Sequence, residues 1–196
     1  MKQVDEASLA ILLGDARSHN GWLEVEVSDD QLRQAYDIAK WGPTSMNTQP
    51  MRLLFLRSAE AKERIRPALS PNNVDKAMAA PVLALISYDL AFHANLAKTF
   101  PHRPNAEALF TANAAMIEPT AFRNGSLQAA YFMLALRAVG LDVGPMSGFD
   151  AGKVNAEFFA DSDWRANFIC GIGHGDPTKI FDRLPRLDFD EVSLTL

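Results

Sequence analysis

The chain is poor in cysteine, in surplus positive charge and in long apolar runs. Of its 196 residues Cys170 is the one cysteine, so no disulfide can close within the chain, and a reducing, cytoplasmic setting is the expectation. Lys and Arg number 19 against 24 Asp and Glu, a net charge of −5, with no block of basic residues. A protein whose main task is to neutralise nucleic-acid phosphates is not expected from that balance. The apolar stretches at 80–86 and 129–136 fall well short of the roughly 18 residues of a membrane span. The start, Met1-Lys2-Gln3-Val4-Asp5-Glu6, has no apolar core of a secretory signal. His19, His93, His102 and His174 lack the i, i+4 pairing or cysteine partners of a zinc site. What remains, 48% hydrophobic and 22% charged, describes one globular domain over 1–196 that can bury a core without staples.

Periodicity predicts a helix over 4–16 from Leu9, Leu12, Leu13 and Ala16, and another over 28–41, opened by Ser28 with Gln31 in a capping-box pattern. Met51 to Arg57 reads as a strand, Ser58 caps a helix over 59–69, and 81–87 reads as a second strand. Helical patterns follow at 106–118 and 122–139, the latter stopped by Gly140 with Leu141 placed for a Schellman-type contact. In that long helix Leu127, Ala130, Tyr131, Leu134 and Ala138 form one apolar stripe, and Ala129, Phe132, Met133 and Leu136 cover the other side. A helix apolar nearly all round must be covered nearly all round, which suggests packing on its own sheet and on a second copy. Asp150 caps a helix to Ala160, 165–173 reads as a third strand, and the tail 182–196 reads as extended. The order of elements implies an α+β fold with a largely antiparallel or mixed sheet.

Four segments could carry chemistry. Arg17-Ser18-His19-Asn20-Gly21-Trp22 joins a cation to neutral donors at a helix exit, a set suited to phosphate or simply to a solvated helix end. Pro43, Thr44, Ser45, Asn47 and Gln49 furnish a long loop stiffened at Pro43 and Pro50. The segment 140–150 exposes main-chain N–H groups among small residues. Its order Gly-Pro-Met-Ser-Gly misses the serine-hydrolase elbow by one position. Gly171-Ile172-Gly173-His174-Gly175 lacks the third glycine of a dinucleotide fingerprint and reads as a strand end.

In this order the segments resemble the FMN-dependent nitroreductase superfamily. Residues 17–22 resemble its phosphate motif, although Asn20 stands where a basic residue is usual. Residues 42–50 resemble its Pro-Ser/Thr-Ser-x-Asn-x-Gln-Pro loop, 145–150 its Pro-x-x-Gly-Phe-Asp loop, and Arg183-Leu184-Pro185-Arg186 its C-terminal basic pair. Residues 122–131 with 140–150 are similar to the subgroup that reduces malonic semialdehyde in pyrimidine utilisation. The resemblance implies a three-layer nitroreductase-like fold, an intertwined homodimer with the tail 182–196 reaching toward the partner, and an FMN site at the interface. It implies that Arg17, Ser18, Asn20 and Arg183 or Arg186 hold the phosphate. Pro43, Thr44, Ser45, Asn47 and Gln128 would approach the flavin ring, as would Pro145, Met146, Ser147 and Gly148. It also implies NADH or NADPH as reductant, with malonic semialdehyde, or alternatively nitroaromatics and quinones, as acceptor. A flavin-binding protein without turnover is the non-enzymatic alternative. Arg123 is the candidate partner for a substrate carboxylate, against the alternative that it pairs with an acid such as Glu118. No metal is implied.

Overall fold

The computed structural model describes residues 2–196. Four strands, β1 (Met51–Leu56), β2 (Val82–Asp89), β3 (Asp142–Met146) and β4 (Trp164–Gly173), pair antiparallel in the order β1-β2-β4-β3. Helices α1 (Asp29–Ala39), α2 (Ala59–Ile65), α3 (Pro71–Ala79), α4 (Ile117–Ala138) and α5 (Ala151–Phe158) sandwich the sheet. β2 is buried along its whole length, and its alternate side chains enter different cores. Val82, Ala84 and Ile86 pack with Leu32 and Ala35 of α1 and with Phe132 and Leu136 of α4. Leu83 and Leu85 pack with Ile65 of α2, Ala77 of α3 and Val154 of α5. The result is the three-layer α+β arrangement expected from the sequence.

Local signals account for several helix ends. Ser28 and Gln31 form the reciprocal capping box, and Ser58 and Asp150 accept from Ala61 and Lys153 main-chain N–H groups. Gly140, at φ 82°, lets Leu141 donate back to the Leu136 carbonyl at 2.9 Å, and Leu141 is buried.

Several boundaries differ from the sequence reading. The segment read as a small-residue loop is strand β3 over its first half, because the β4 edge supplies the ladder that composition alone does not reveal. α3 lies where the sequence pattern indicates no helix; Pro71 begins it at a position where a missing N–H costs nothing. α4 starts at Ile117 rather than Phe122, with Pro119 tolerated in its first turn. The helix expected over 106–118 reduces to Ala108–Thr111 and a 3₁₀ turn at Ala114–Met116. The N-terminal helix is a turn at Glu6–Leu9 running into a π-helical turn at Ala10–Gly14. The tail is not extended throughout: Phe189–Val192 forms a helical turn with an Asp188–Glu191 capping box. Among the described residues no helix is long and apolar enough to cross a membrane.

Cys170, fully buried on β4, has its thiol pushed up to about 12 by burial. It should resist alkylation in the native protein and react on unfolding, as mass spectrometry after iodoacetamide would show. Its burial favours the folded state below the ordinary thiol value of 9.0, and that contribution is lost as pH rises from there through about 12.

Candidate functional site

The N-terminal segment and the tail meet. Arg17, Ser18, Asn20, Arg183 and Arg186 line one cavity of about 580 Å³, joined by Lys76 of α3 and Arg137 of α4. Arg17 donates to the Phe181 carbonyl, Arg183 to the carbonyls of Gly14 and Ala16, and Arg137 to that of Leu12. Arg186 donates to the carbonyls of Leu184 and Pro185. Among the described residues none of the five cations forms an ion pair, and Asp182 is the one acid on the wall. Burial lowers the Arg137 pKa, with Asp142 opposing the shift, but a guanidinium keeps its charge at neutral pH. Five cations against one acid in a concavity give a positive potential that attracts an anion.

Lys76 and Arg137 escape the sequence reading. Arg137 leaves a trace, as the cation ending an otherwise apolar stretch of helix. Lys76 leaves none, because α3 itself carries no recognisable pattern.

Beyond β3 the chain continues through Ser147 and Gly148. The Gly148 carbonyl accepts from the Ser70 main-chain N–H and from Asn73 Nδ2, both at 3.0 Å. The Phe149 N–H closes onto the Ser147 carbonyl at 3.1 Å. A Cβ at Gly148 would lie 2.6 Å from Asn73 Nδ2, so the grip requires glycine. Asn73 and Lys76 are one turn apart on α3, which therefore links this loop to the cation cavity.

The loop containing Pro43, Thr44, Ser45 and Asn47 does not line that cavity. Asn124 Oδ1 accepts from the Ser45 N–H at 2.8 Å, and Gln128 Oε1 accepts from the Met51 N–H at 2.9 Å. Gln128 is thus a buried strut under the loop. Asn47 donates to the Thr99 carbonyl at 2.7 Å, and Tyr131 Oη to the Pro43 carbonyl at 3.2 Å. Along α4, thirteen residues separate Asn124, under this loop, from Arg137, in the cavity wall, a rise of about 20 Å. Arg123 lies at the loop end, exposed with Phe122 and Leu127 on a shallow concavity. Glu118 is not its partner; that carboxylate accepts from Tyr88 Oη at 3.2 Å.

A sheet covered on both faces, with a cavity of clustered cations toward one end of a long helix and an amide-rich loop toward the other, is the α+β architecture in which the motifs of the sequence acquire places. The chain belongs to the nitroreductase family, whose model matches residues 17–174. A Ralstonia pickettii protein provisionally named NADH dehydrogenase/NAD(P)H nitroreductase HadB is 54% identical over 186 residues, covering 94% of this chain and 95% of that protein. Among solved structures, ydfN of Bacillus subtilis superposes with a TM-score of 0.86 at 21% identity, over 98% of this chain and 100% of that one. A nitroreductase-type protein of Exiguobacterium sibiricum, solved with FMN, gives 0.84 at 20% identity over the full length of both.

Proposed function

We propose that the chain is an FMN-dependent NAD(P)H oxidoreductase working as a homodimer, with each flavin site assembled from both subunits. The observation that carries this reading is the convergence of Arg17, Lys76, Arg137, Arg183 and Arg186 on one cavity beside Ser18 and Asn20. A dianionic phosphate answers that charge, and arginine forks match its oxygens. Lys76 and Arg137 offset the neutral amide at Asn20, whose bond to phosphate is roughly half as strong as a charged donor's. The likeness to a structure solved with FMN supports the same choice of ligand.

The 20 Å rise along α4 supports a two-chain site. In an isologous pair with antiparallel α4 helices, the loop at 43–49 of one copy meets the cradle of the other. Exposed Phe122 and Leu127 of α4 and Tyr36, Ile38 and Trp41 around the end of α1 give an apolar surface for that contact. Phe181, Leu184, Leu187 and Phe189 of the tail are also exposed and would reach toward the partner.

Bound FMN supplies a two-electron relay between NADH or NADPH and an acceptor. Around it this chain would orient the ring and exclude water, with the main-chain N–H groups of Ser147 and Gly148 from one subunit and Ser45 and Asn47 from the other as the groups that would hold it. For malonic semialdehyde, Arg123 holds the carboxylate while the aldehyde is reduced to the alcohol, 3-hydroxypropionate. The ion-pair-free guanidinium beside the ring loop favours that acceptor. The name of the Ralstonia relative favours the second reading, a nitroaromatic or quinone reductase. An NAD(P)H-dependent reaction and a single buried thiol suit a cytoplasmic location.

The test is direct. Purified protein should be yellow and should bleach with NADH or NADPH in the absence of oxygen; failure to take up FMN would overturn the reading, and flavin that never bleaches would leave a carrier without turnover. Steady-state turnover of malonic semialdehyde, a nitroaromatic and a quinone then separates the acceptors. Arg123→Ala should raise KM for malonic semialdehyde about tenfold or more, the scale of a lost charged hydrogen bond, and leave KM for the nitroaromatic unchanged. An unchanged KM for the acid removes Arg123 from that role.

A further inference from the structure

Resting on the FMN reading, we propose that His19 is a positioning residue for the phosphate cradle, locking the N-terminal phosphate segment to the origin of the C-terminal tail. Arg17, Ser18 and Asn20 all line the cavity, whereas His19 between them does not. Its side chain turns inward and is 9% exposed. Nε2 stands 3.3 Å from Asp142 Oδ1, and the other oxygen of that carboxylate accepts from the Gly175 N–H at 2.8 Å. A single carboxylate on β3 thus stands between the N-terminal segment and the strand end from which the tail departs.

The imidazole fills the space against the main chain of Gly175. A Cβ at Gly175 would lie 1.9 Å from His19 Nδ1, so the glycine exists where the ring needs its space. The His19 main-chain N–H donates to the Val143 carbonyl at 3.0 Å, the Asp176 N–H to Gly21 at 3.0 Å, and the Leu23 N–H to His174 at 2.8 Å. The first bond ties His19 to β3, and the other two zip residues 21–23 to 174–176, the stretch from which the tail departs toward Arg183 and Arg186. Nδ1 is buried and unpartnered among the described residues. Nε2 is the ring nitrogen that approaches the Asp142 carboxylate, so that carboxylate is the ring's polar neighbour, with the Trp22 ring 6.1 Å away between centroids. Because His19 lies between two cavity residues, freeing its ring lets Ser18 and Asn20 drift from the phosphate.

A generally supportive core histidine would affect any flavin alike. A cradle-positioning histidine affects FMN and spares riboflavin, which has no phosphate. Both affinities are measured by fluorescence titration of flavin-stripped protein, with Tm as the check on folding. His19→Ala should weaken FMN binding about tenfold or more, as loss of supporting hydrogen bonds around a ligand commonly does, and leave riboflavin binding unchanged. His19→Gln, whose amide still reaches the carboxylate, should restore most of the preference for FMN. An unchanged FMN-to-riboflavin ratio in His19→Ala, or an equal loss of both, overturns the proposal. If His19→Ala does not fold, Asp142→Ala is read by the same ratio, and an unchanged ratio there overturns it. Wild-type protein that binds neither flavin overturns the FMN reading itself, an outcome distinct from wild-type FMN binding with an unaltered ratio in the variants.

Discussion

Gly144→Ala is expected to lower Tm by about 2–12 °C, given overpacking strain of about 1–3 kcal/mol and about 2–4 °C per kcal/mol in a chain of this size, and to weaken FMN binding. The added Cβ would lie 2.3 Å from the carbonyl oxygen of His19 and 3.3 Å from the Trp22 ring. The nearer atom belongs to the main chain and cannot rotate away. It is pinned by the His19–Val143 hydrogen bond and by the bridge between Ser18 and Val143. Relief requires residues 17–22 to lift off β3, taking Arg17, Ser18 and Asn20 with them. Gly140 provides the contrast. Its φ of 82° is left-handed, but nothing lies within 4 Å of the position a methyl group would take, so Gly140→Ala should cost only about 1 kcal/mol of backbone strain and leave FMN binding intact. Differential scanning calorimetry and FMN titration of the two variants check this, and equal melting shifts would refute the steric account.

Gly144 also shows why part of this fold is hidden in its sequence. Capping residues and the Schellman end are legible because their signals are local: a hydroxyl or carboxylate beside the N–H it accepts, a glycine where φ turns positive. β3 is not legible, because Asp142-Val143-Gly144-Pro145-Met146 has the composition of a loop and becomes a strand only against β4. Gly144 pairs with Gly171 there. Side chains at Gly171 and Gly173 would meet Trp22 at 2.7 and 2.9 Å; these glycines form a floor for the indole of the phosphate motif. What reads as a failed dinucleotide fingerprint is therefore packing space, a requirement set by a residue some 150 positions away. The cradle is half legible for the same reason. Arg17, Arg183 and Arg186 belong to motifs, while Lys76 comes on a helix that no periodicity announces and Arg137 reaches the wall only through the packing of a helix that reads as apolar. Their gathering also shows how a chain of net charge −5 can concentrate positive charge at one place, as the proposed phosphate site requires.

Asn124→Ala is expected to lower turnover about tenfold, because a part-buried N–H left without its acceptor costs up to about 1–3 kcal/mol and the loop above it is already strained. Asn124 is 2% exposed. Its Nδ2 donates to the Thr120 carbonyl at 2.9 Å, one turn back on α4, which fixes Oδ1 toward the Ser45 N–H. Met46, Asn47 and Gln49 all have positive φ, at 51°, 50° and 44°, conformations that persist only where surrounding bonds enforce them. Arg52, bonded to Asp89, holds the Gln49 carbonyl at 3.0 Å, and Gln128 holds the following strand. Removing Asn124 releases the middle of this loop and with it Ser45 and Asn47. In the proposed dimer those residues serve the partner's cradle, which gives the prediction a sharper form. Co-expression of Asn124→Ala with Arg183→Ala produces mixed dimers in which one site combines an intact cradle with an intact loop, and the other site carries both defects. With random pairing, half the dimers are mixed and each has one good site, so activity should recover to about a quarter of wild type. If the loop served the cradle of its own chain, each site of a mixed dimer would keep one defect, and no recovery would be seen.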